Sequence, residues 1–175
     1  MPHTTPMPGD AAPNLAVDRL GGDAFDLNRA AIDNHLILLF YRGVHCPICK
    51  GMLEELNGRM SDFERIGVGV VPLSMDSRER AEKQRSEWDI GRLSIGYGMS
   101  EETARAFGLF ISRKEQEKEP ERFSEPGVAI IKPDRSIYAL FIQSVPFTRP
   151  SFDGLINGLK FVQDKGYPVR GTLAA

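Results

Sequence analysis

The sequence predicts one α/β domain built on a sheet of mixed direction with helices on both faces. Three observations carry this. The first is a nearly unbroken apolar run, His35-Leu36-Ile37-Leu38-Leu39-Phe40-Tyr41. It is short and lacks polar alternation, which suits a central strand covered on both faces. The second is the segment after Cys46-Pro47, where Ile48, Met52, Leu56, Met60 and Phe63 recur at helical intervals. The third is the order of the elements, strand, helix, strand, helix, then hairpin and helix, which is the alternation of an α/β architecture.

Taken in chain order, Leu15 to Leu27 reads as two short strands around the turn Gly21-Gly22-Asp23. The apolar run follows, and Pro47 fits the first turn of the next helix, where its missing N–H costs little. Val68 to Met75 is a second strand, and Pro72 within it predicts an edge or a bulge. Asp76 to Trp88 is charged and helix-prone, and Glu101 to Phe107 is a further short helix. Ser112 to Glu125 holds five Glu, four Lys or Arg, and Pro120 in fourteen residues, and reads as a solvated surface loop. Val128 to Lys132 and Ser136 to Ile142, joined by Pro133-Asp134-Arg135, form an antiparallel hairpin. A closing helix near Pro150 to Gln163 buries Phe152, Leu155, Ile156, Leu159 and Val162. The organisation expected is a flexible segment over 1–12, a single domain over 13–165 and a tail over 166–175.

Composition narrows the function classes. The chain has 175 residues, 41% hydrophobic and 26% charged, with a net charge of −2. Such a balance gives no electrostatic reason to expect a nucleic acid or an anionic membrane as partner. No apolar run approaches the roughly 20 residues that span a bilayer. The polar, Pro-rich stretch Met1 to Pro13 has no apolar core of the secretory kind, so the expected location is the cytoplasm.

The chemistry centres on the two cysteines, Cys46 and Cys49. Two are too few for a secreted disulfide framework and suggest catalysis or metal binding in a reducing compartment. At i and i+3 on a first helical turn, their Cβ atoms lie roughly 5–6 Å apart, so a modest adjustment brings the sulfurs within bonding range. At the helix start, free backbone N–H groups and the helix dipole stabilise a negative sulfur. At an ordinary pKa near 8.5 about 3% of a thiol is ionised at pH 7, whereas at about 7 half is. Cys46 is accordingly assigned as attacking thiolate and Cys49, one turn inside, as resolving thiol.

Other readings of the pair carry less weight. Zinc needs four ligands, and only His3, His35 and His45 could join two cysteines. Two inert core cysteines are conceivable, but the Pro47-marked helix start argues against that. His45 either raises thiolate character when protonated or is a polar surface residue, and both readings stay open. Arg42 pairs with Glu54 or Glu55 or steadies a sulfur anion, the pairing being favoured. Trp88 and the other aromatics belong to the core.

Phe40-Tyr41-Arg42-Gly43 leading into Cys46-Pro47-Ile48-Cys49 resembles the thioredoxin-like superfamily, and more closely its peroxiredoxin-like branch, the alkyl hydroperoxide reductase and thiol-specific antioxidant group. The resemblance runs from Gly9-Asp10-Ala11-Ala12-Pro13 to Tyr167-Pro168, through Pro72-Leu73-Ser74-Met75-Asp76-Ser77 and Glu125-Pro126-Gly127-Val128-Ala129-Ile130-Ile131. It implies a thioredoxin fold with an N-terminal β-hairpin extension, no cofactor, and a cis bond before Pro126 that faces the disulfide; an X–Pro bond has a small enough trans preference for that. Typical members carry Pro-x-x-x-Thr-x-x-Cys, in which the Thr and a distant Arg bind the peroxide. Aligning Cys49 with the peroxidatic cysteine puts Arg42 at the Pro, Cys46 at the Thr, and Pro126 where the group often has its Arg. Compared with thioredoxin, His45 replaces Trp and Pro47-Ile48 replaces Gly-Pro.

Three functions follow in order. The leading one is dithiol–disulfide exchange with a disulfide-bearing protein, reset by an external thiol reductant. The second is a thiol peroxidase acting on hydroperoxides, in which one cysteine passes through a sulfenic acid. The third is a non-catalytic module, either redox-sensing or holding an iron–sulfur cluster across a homodimer.

Overall fold

A computed structural model describes residues 5–174. His3 and the rest of 1–4, which open the segment expected to be flexible, lie outside the described residues, as does Ala175 at the end of the tail.

The chain forms β1 (Ala16–Leu20), β2 (Phe25–Asp26), β3 (His35–Phe40), α1 (Pro47–Arg65), β4 (Val68–Leu73), α2 (Arg78–Glu87), β5 (Ile95–Tyr97), α3 (Glu101–Ala106), β6 (Ile111–Arg113), β7 (Arg122–Ser124), β8 (Gly127–Ile131), β9 (Ile137–Ile142) and α4 (Phe152–Lys165). Seven strands make one sheet in the order β2-β1-β5-β4-β3-β8-β9. The pairs β3/β4 and β4/β5 are parallel, joined by the crossovers α1 and α2, and the remaining neighbours are antiparallel. This is the mixed α/β sheet with a thioredoxin-like frame and an N-terminal hairpin, β1–β2.

Every residue of β3 is buried, as its lack of alternation requires. Its side chains split by parity. Ile37, Leu39 and Tyr41 pack with Leu53, Leu56 and Phe63 of α1 and with Phe152, Leu155 and Leu159 of α4. Leu36, Leu38 and Phe40 face the opposite layer, with Ala104 of α3, Phe107 and Leu109. Trp88 lies in the first of these cores. Serine hydroxyls cap three helices: Ser77, Ser100 and Ser151 accept from the N–H groups of Arg80, Thr103 and Gly154.

Two expectations from sequence need correction. Pro72 sits mid-sheet, opposite Leu39 of β3, not at an edge. In a parallel strand the N–H and C=O of one residue point to the same side. The Leu73 carbonyl accepts from Tyr41 N on the β3 side, so Pro72 turns its missing donor toward β5. There pairing begins only with Leu73 opposite Gly96 and the Ser74 N–H on the Gly96 carbonyl. The stretch 112–125 is likewise not all solvated loop. Its ends pair as the hairpin β6–β7, and Phe123, Glu119 and Glu125 are buried, because Arg42 offers both carboxylates a cation.

Among the described residues no helix is long and apolar enough to cross a membrane.

Candidate active site

The site forms where β3 ends and α1 begins. The connecting turn passes through Gly43 at φ 135, a left-handed conformation that favours glycine. A Cβ there would lie 2.6 Å from both carboxylate oxygens of Asp76, so the residue is fixed by backbone and neighbour alike. Asp76, buried after β4, accepts from Val44 N at 2.8 Å, from Gln84 Nε2 at 3.1 Å and from Arg80 Nε at 2.8 Å. Gln84 Oε1 in turn accepts from the Tyr41 hydroxyl at 2.8 Å, and burial holds that phenol well above its usual range. The carboxylate thus ties the approach to Cys46 onto α2, and the sequence reading had not singled it out.

Cys46 is the N-cap of α1, with extended backbone, and its Sγ accepts the N–H of Cys49 at 3.2 Å. Serine, threonine or aspartate usually supplies such an oxygen; here a sulfur does, which places negative charge at the positive end of the helix. The structure brings the two cysteines together, both as free thiols, 1% and 0% exposed.

Their titrations are driven apart. Hydrogen bonding from the Cys49 side chain lowers the Cys46 thiol most, against desolvation; the Cys49 N–H, Arg149 and Arg42 lower it further, and it falls to about 6. Desolvation, the sacrificed proton and the adjacent sulfur anion push Cys49 far up, and Arg149 only partly offsets this. The pair therefore shares one proton, held on Cys49.

Arg149 is, after Asp76, the second residue that sequence reasoning missed. It lies in the loop between β9 and α4, and its Nη2 is 3.1 Å from Cys49 Sγ and 3.9 Å from Cys46 Sγ, while Nη1 is 3.1 Å from Met52 Sδ. Gln143 Nε2 donates to the carbonyls of Phe147 and Thr148 and so holds this loop, with Thr148 at φ 61. A guanidinium, absent at position 126, thus reaches the sulfurs from another part of the chain. The only sequence signal is an arginine between Thr148 and Pro150 just before a capped helix, which is no specific pattern.

The other candidates resolve differently. His45 is neutral: burial lowers it to about 4, and its Nδ1 faces Arg80 Nη2 at 3.2 Å. It therefore lends the thiolate no positive charge near pH 7. Arg42 pairs not with Glu54 or Glu55 but with Glu119 at 3.5 Å and Glu125 at 3.2 Å, and lies over the Phe123 ring, 4.7 Å from its centroid. The bond before Pro126 is not cis; among the described residues no cis peptide occurs. Glu125 is fixed on one side by its N–H to the Phe110 carbonyl and by Ser112. On the other side the Pro126 carbonyl accepts from Gln143 N, so the chain runs extended from β7 into β8.

Beside the sulfurs is a surface depression of about 380 Å³ lined by Ile48, Met52, Phe147, Arg149 and Pro150. Phe147 and Ile48 are exposed at its rim. The arrangement is suited to two-electron sulfur chemistry: a stabilised thiolate, a protonated partner and a guanidinium that faces both and also lines the neighbouring depression.

Comparison with curated protein sequences gives no match. Among solved structures, the chain superposes on AhpC of Mycobacterium tuberculosis with a TM-score of 0.74 at 13% identity, covering 93% of this chain and 96% of that one. Peroxiredoxin 6 of Arenicola marina gives 0.72 at 16%, over 89% and 73%. Reduced 2-Cys peroxiredoxin of Plasmodium vivax gives 0.72 at 15%, over 90% and 82%. At such identities the likeness is one of fold. The sequence pattern of the AhpC/TSA family matches residues 8–140, roughly three-quarters of the chain. With that match spanning β1 to β9 and the helix-capping sulfur inside it, the chain belongs to the AhpC/TSA family and is a peroxiredoxin-like thiol oxidoreductase.

Proposed function

We propose that the protein reduces small hydroperoxides through Cys46, closes a Cys46–Cys49 disulfide, and is reset by an external dithiol. The observation that supports this reading is the burial of the thiolate. Cys46 is 1% exposed, which admits a small O–O bond far more readily than a protein disulfide approaching in line. Disulfide exchange, the first expectation from sequence, then becomes the second half of the cycle, in which the reductant opens the bridge.

In the first step the Cys46 thiolate attacks the distal peroxide oxygen. The O–O bond breaks, an alkoxide departs and takes up a proton as alcohol, and Cys46 becomes a sulfenic acid. Arg149 is placed to donate to the leaving oxygen, as it does to the sulfurs in the resting site. In the second step Cys49 loses its proton and attacks the Cys46 sulfur, expelling hydroxide, which leaves as water. The first step itself prepares the second. Oxidation of Cys46 removes the anion and the hydrogen bond that hold Cys49 up, while Arg149, 3.1 Å away, remains to stabilise the new thiolate.

Stopped-flow mixing with hydrogen peroxide and with tert-butyl hydroperoxide, followed by mass spectrometry, tests this. Turnover should vanish in Cys46→Ser, and Cys49→Ser should accumulate a dimedone-reactive sulfenic acid on Cys46. Peroxide consumption no faster than that of a small free thiol, together with rapid reduction of an insulin-type disulfide, would return exchange to first place.

A further inference from the structure

Three sulfurs converge on Arg149, and the cycle uses two of them. The third, Met52, lies one turn beyond Cys49 on α1 with its Sδ 3.1 Å from Arg149 Nη1. It is partly buried and lines the same depression as Ile48, Phe147 and Pro150. Among the described residues it is the methionine whose sulfur takes a bond from a guanidinium. A thioether cannot ionise or form a disulfide; its redox chemistry with a peroxide is oxygen transfer.

We propose that Met52 is a sulfoxidation site fed by the hydroperoxide that Arg149 holds when Cys46 and Cys49 are already joined. This rests on the hydroperoxide reading above. The sulfur lone pair attacks the distal oxygen, the O–O bond breaks, and the hydroperoxide proton ends on the leaving oxygen. Thioether and hydroperoxide thus become sulfoxide and alcohol, the sulfur losing two electrons and the peroxide gaining them. The sulfoxide oxygen is a much better acceptor than the thioether. It holds Arg149 on the Met52 side, away from the cysteines, and slows the site under excess peroxide until a methionine sulfoxide reductase removes the oxygen.

The test uses the full chain and tert-butyl hydroperoxide without external dithiol, with the oxidation of Met52, Met60 and Met75 and the closure of Cys46–Cys49 quantified by mass spectrometry. Met52 should gain oxygen at least tenfold faster than Met60 and Met75, which are also partly buried, and Arg149→Gln should erase that lead. Oxidation of Met52 at the pace of the other two, or a lead that survives Arg149→Gln, overturns the assignment. The two readings fail separately. A dithiol that closes promptly while Met52 shows no lead removes the Met52 site alone; a dithiol indifferent to peroxide removes the cycle and the link with it.

Discussion

Arg149 reaches Cys49 Sγ at 3.1 Å across 100 positions of sequence, and this contact joins the loop before α4 to the first turn of α1. Among the described residues it is the cation hydrogen-bonded to the dithiol, and its removal should be felt at both sulfurs. Arg149→Gln is expected to slow alkylation of Cys46 by iodoacetamide at pH 7, and to slow peroxide consumption, by at least tenfold. Arg149→Lys should recover part of both, since it keeps the charge and loses the planar fork. Equal rates in wild type and Arg149→Gln would show the contact to be incidental.

The Cys46 thiol, lowered to about 6, sets a pH profile. Alkylation should rise through pH 6 and level off by about pH 7.5, whereas an ordinary thiol is still rising through 8.5. Stability follows the same linkage. A folded pKa below the unfolded one contributes stability that is complete above the unfolded value and lost as pH falls toward 6. Urea midpoints of the reduced protein should therefore increase from pH 6 to about 8.5, as the unfolding free energy rises by up to about 1.4 kcal/mol per pH unit. Above that range the raised Cys49 works in the opposite sense, because its unfolded form ionises first. Midpoints flat across pH 6 to 8.5 would contradict the shift.

Gly43→Ala puts a Cβ 2.6 Å from the Asp76 carboxylate at a φ of 135. Destabilisation of about 2 kcal/mol or more is expected in urea. Slower Cys46 alkylation should accompany it, because Val44 N must leave Asp76.

Arg42→Met leaves Glu119 and Glu125 buried without their shared cation, at a cost of about 3 kcal/mol near pH 7. Glu119, held below the usual carboxylate range by the Glu115 and Gln116 N–H groups and by Arg42, loses the last of these in the variant, so the deficit relative to wild type should shrink as the pH falls through the carboxylate range. A deficit independent of pH would assign the loss to packing on Phe123 instead.

What the sequence disclosed and what it hid divide along a physical line. The buried run of β3 and the Pro47-marked start of α1 are local signals, each readable within a few residues. So was the dithiol, since its spacing and helix position are both local. Arg149, Asp76 and the pairing of Arg42 with Glu119 and Glu125 are contacts across tens of residues, made by residue types common on any surface. Pro72 misled because a missing N–H matters only on one side, and which side is set by the neighbouring strands. The bond before Pro126 was inferred from resemblance, and here the anchors on Glu125 and Gln143 favour the extended chain.

The Cys49 N–H on Cys46 Sγ has a thermodynamic corollary. A bridge between these residues would close a ring of four residues, and the chain-entropy relation gives such a ring only about 2 kcal/mol of stabilisation, against about 3 for a ring of fifteen. The bridge acts on the unfolded chain, and a span of four residues leaves it little disorder to remove there. Oxidation should accordingly raise the melting temperature by no more than about 4–8 °C, and the bridge should behave as a bond that is made and unmade, not as a staple.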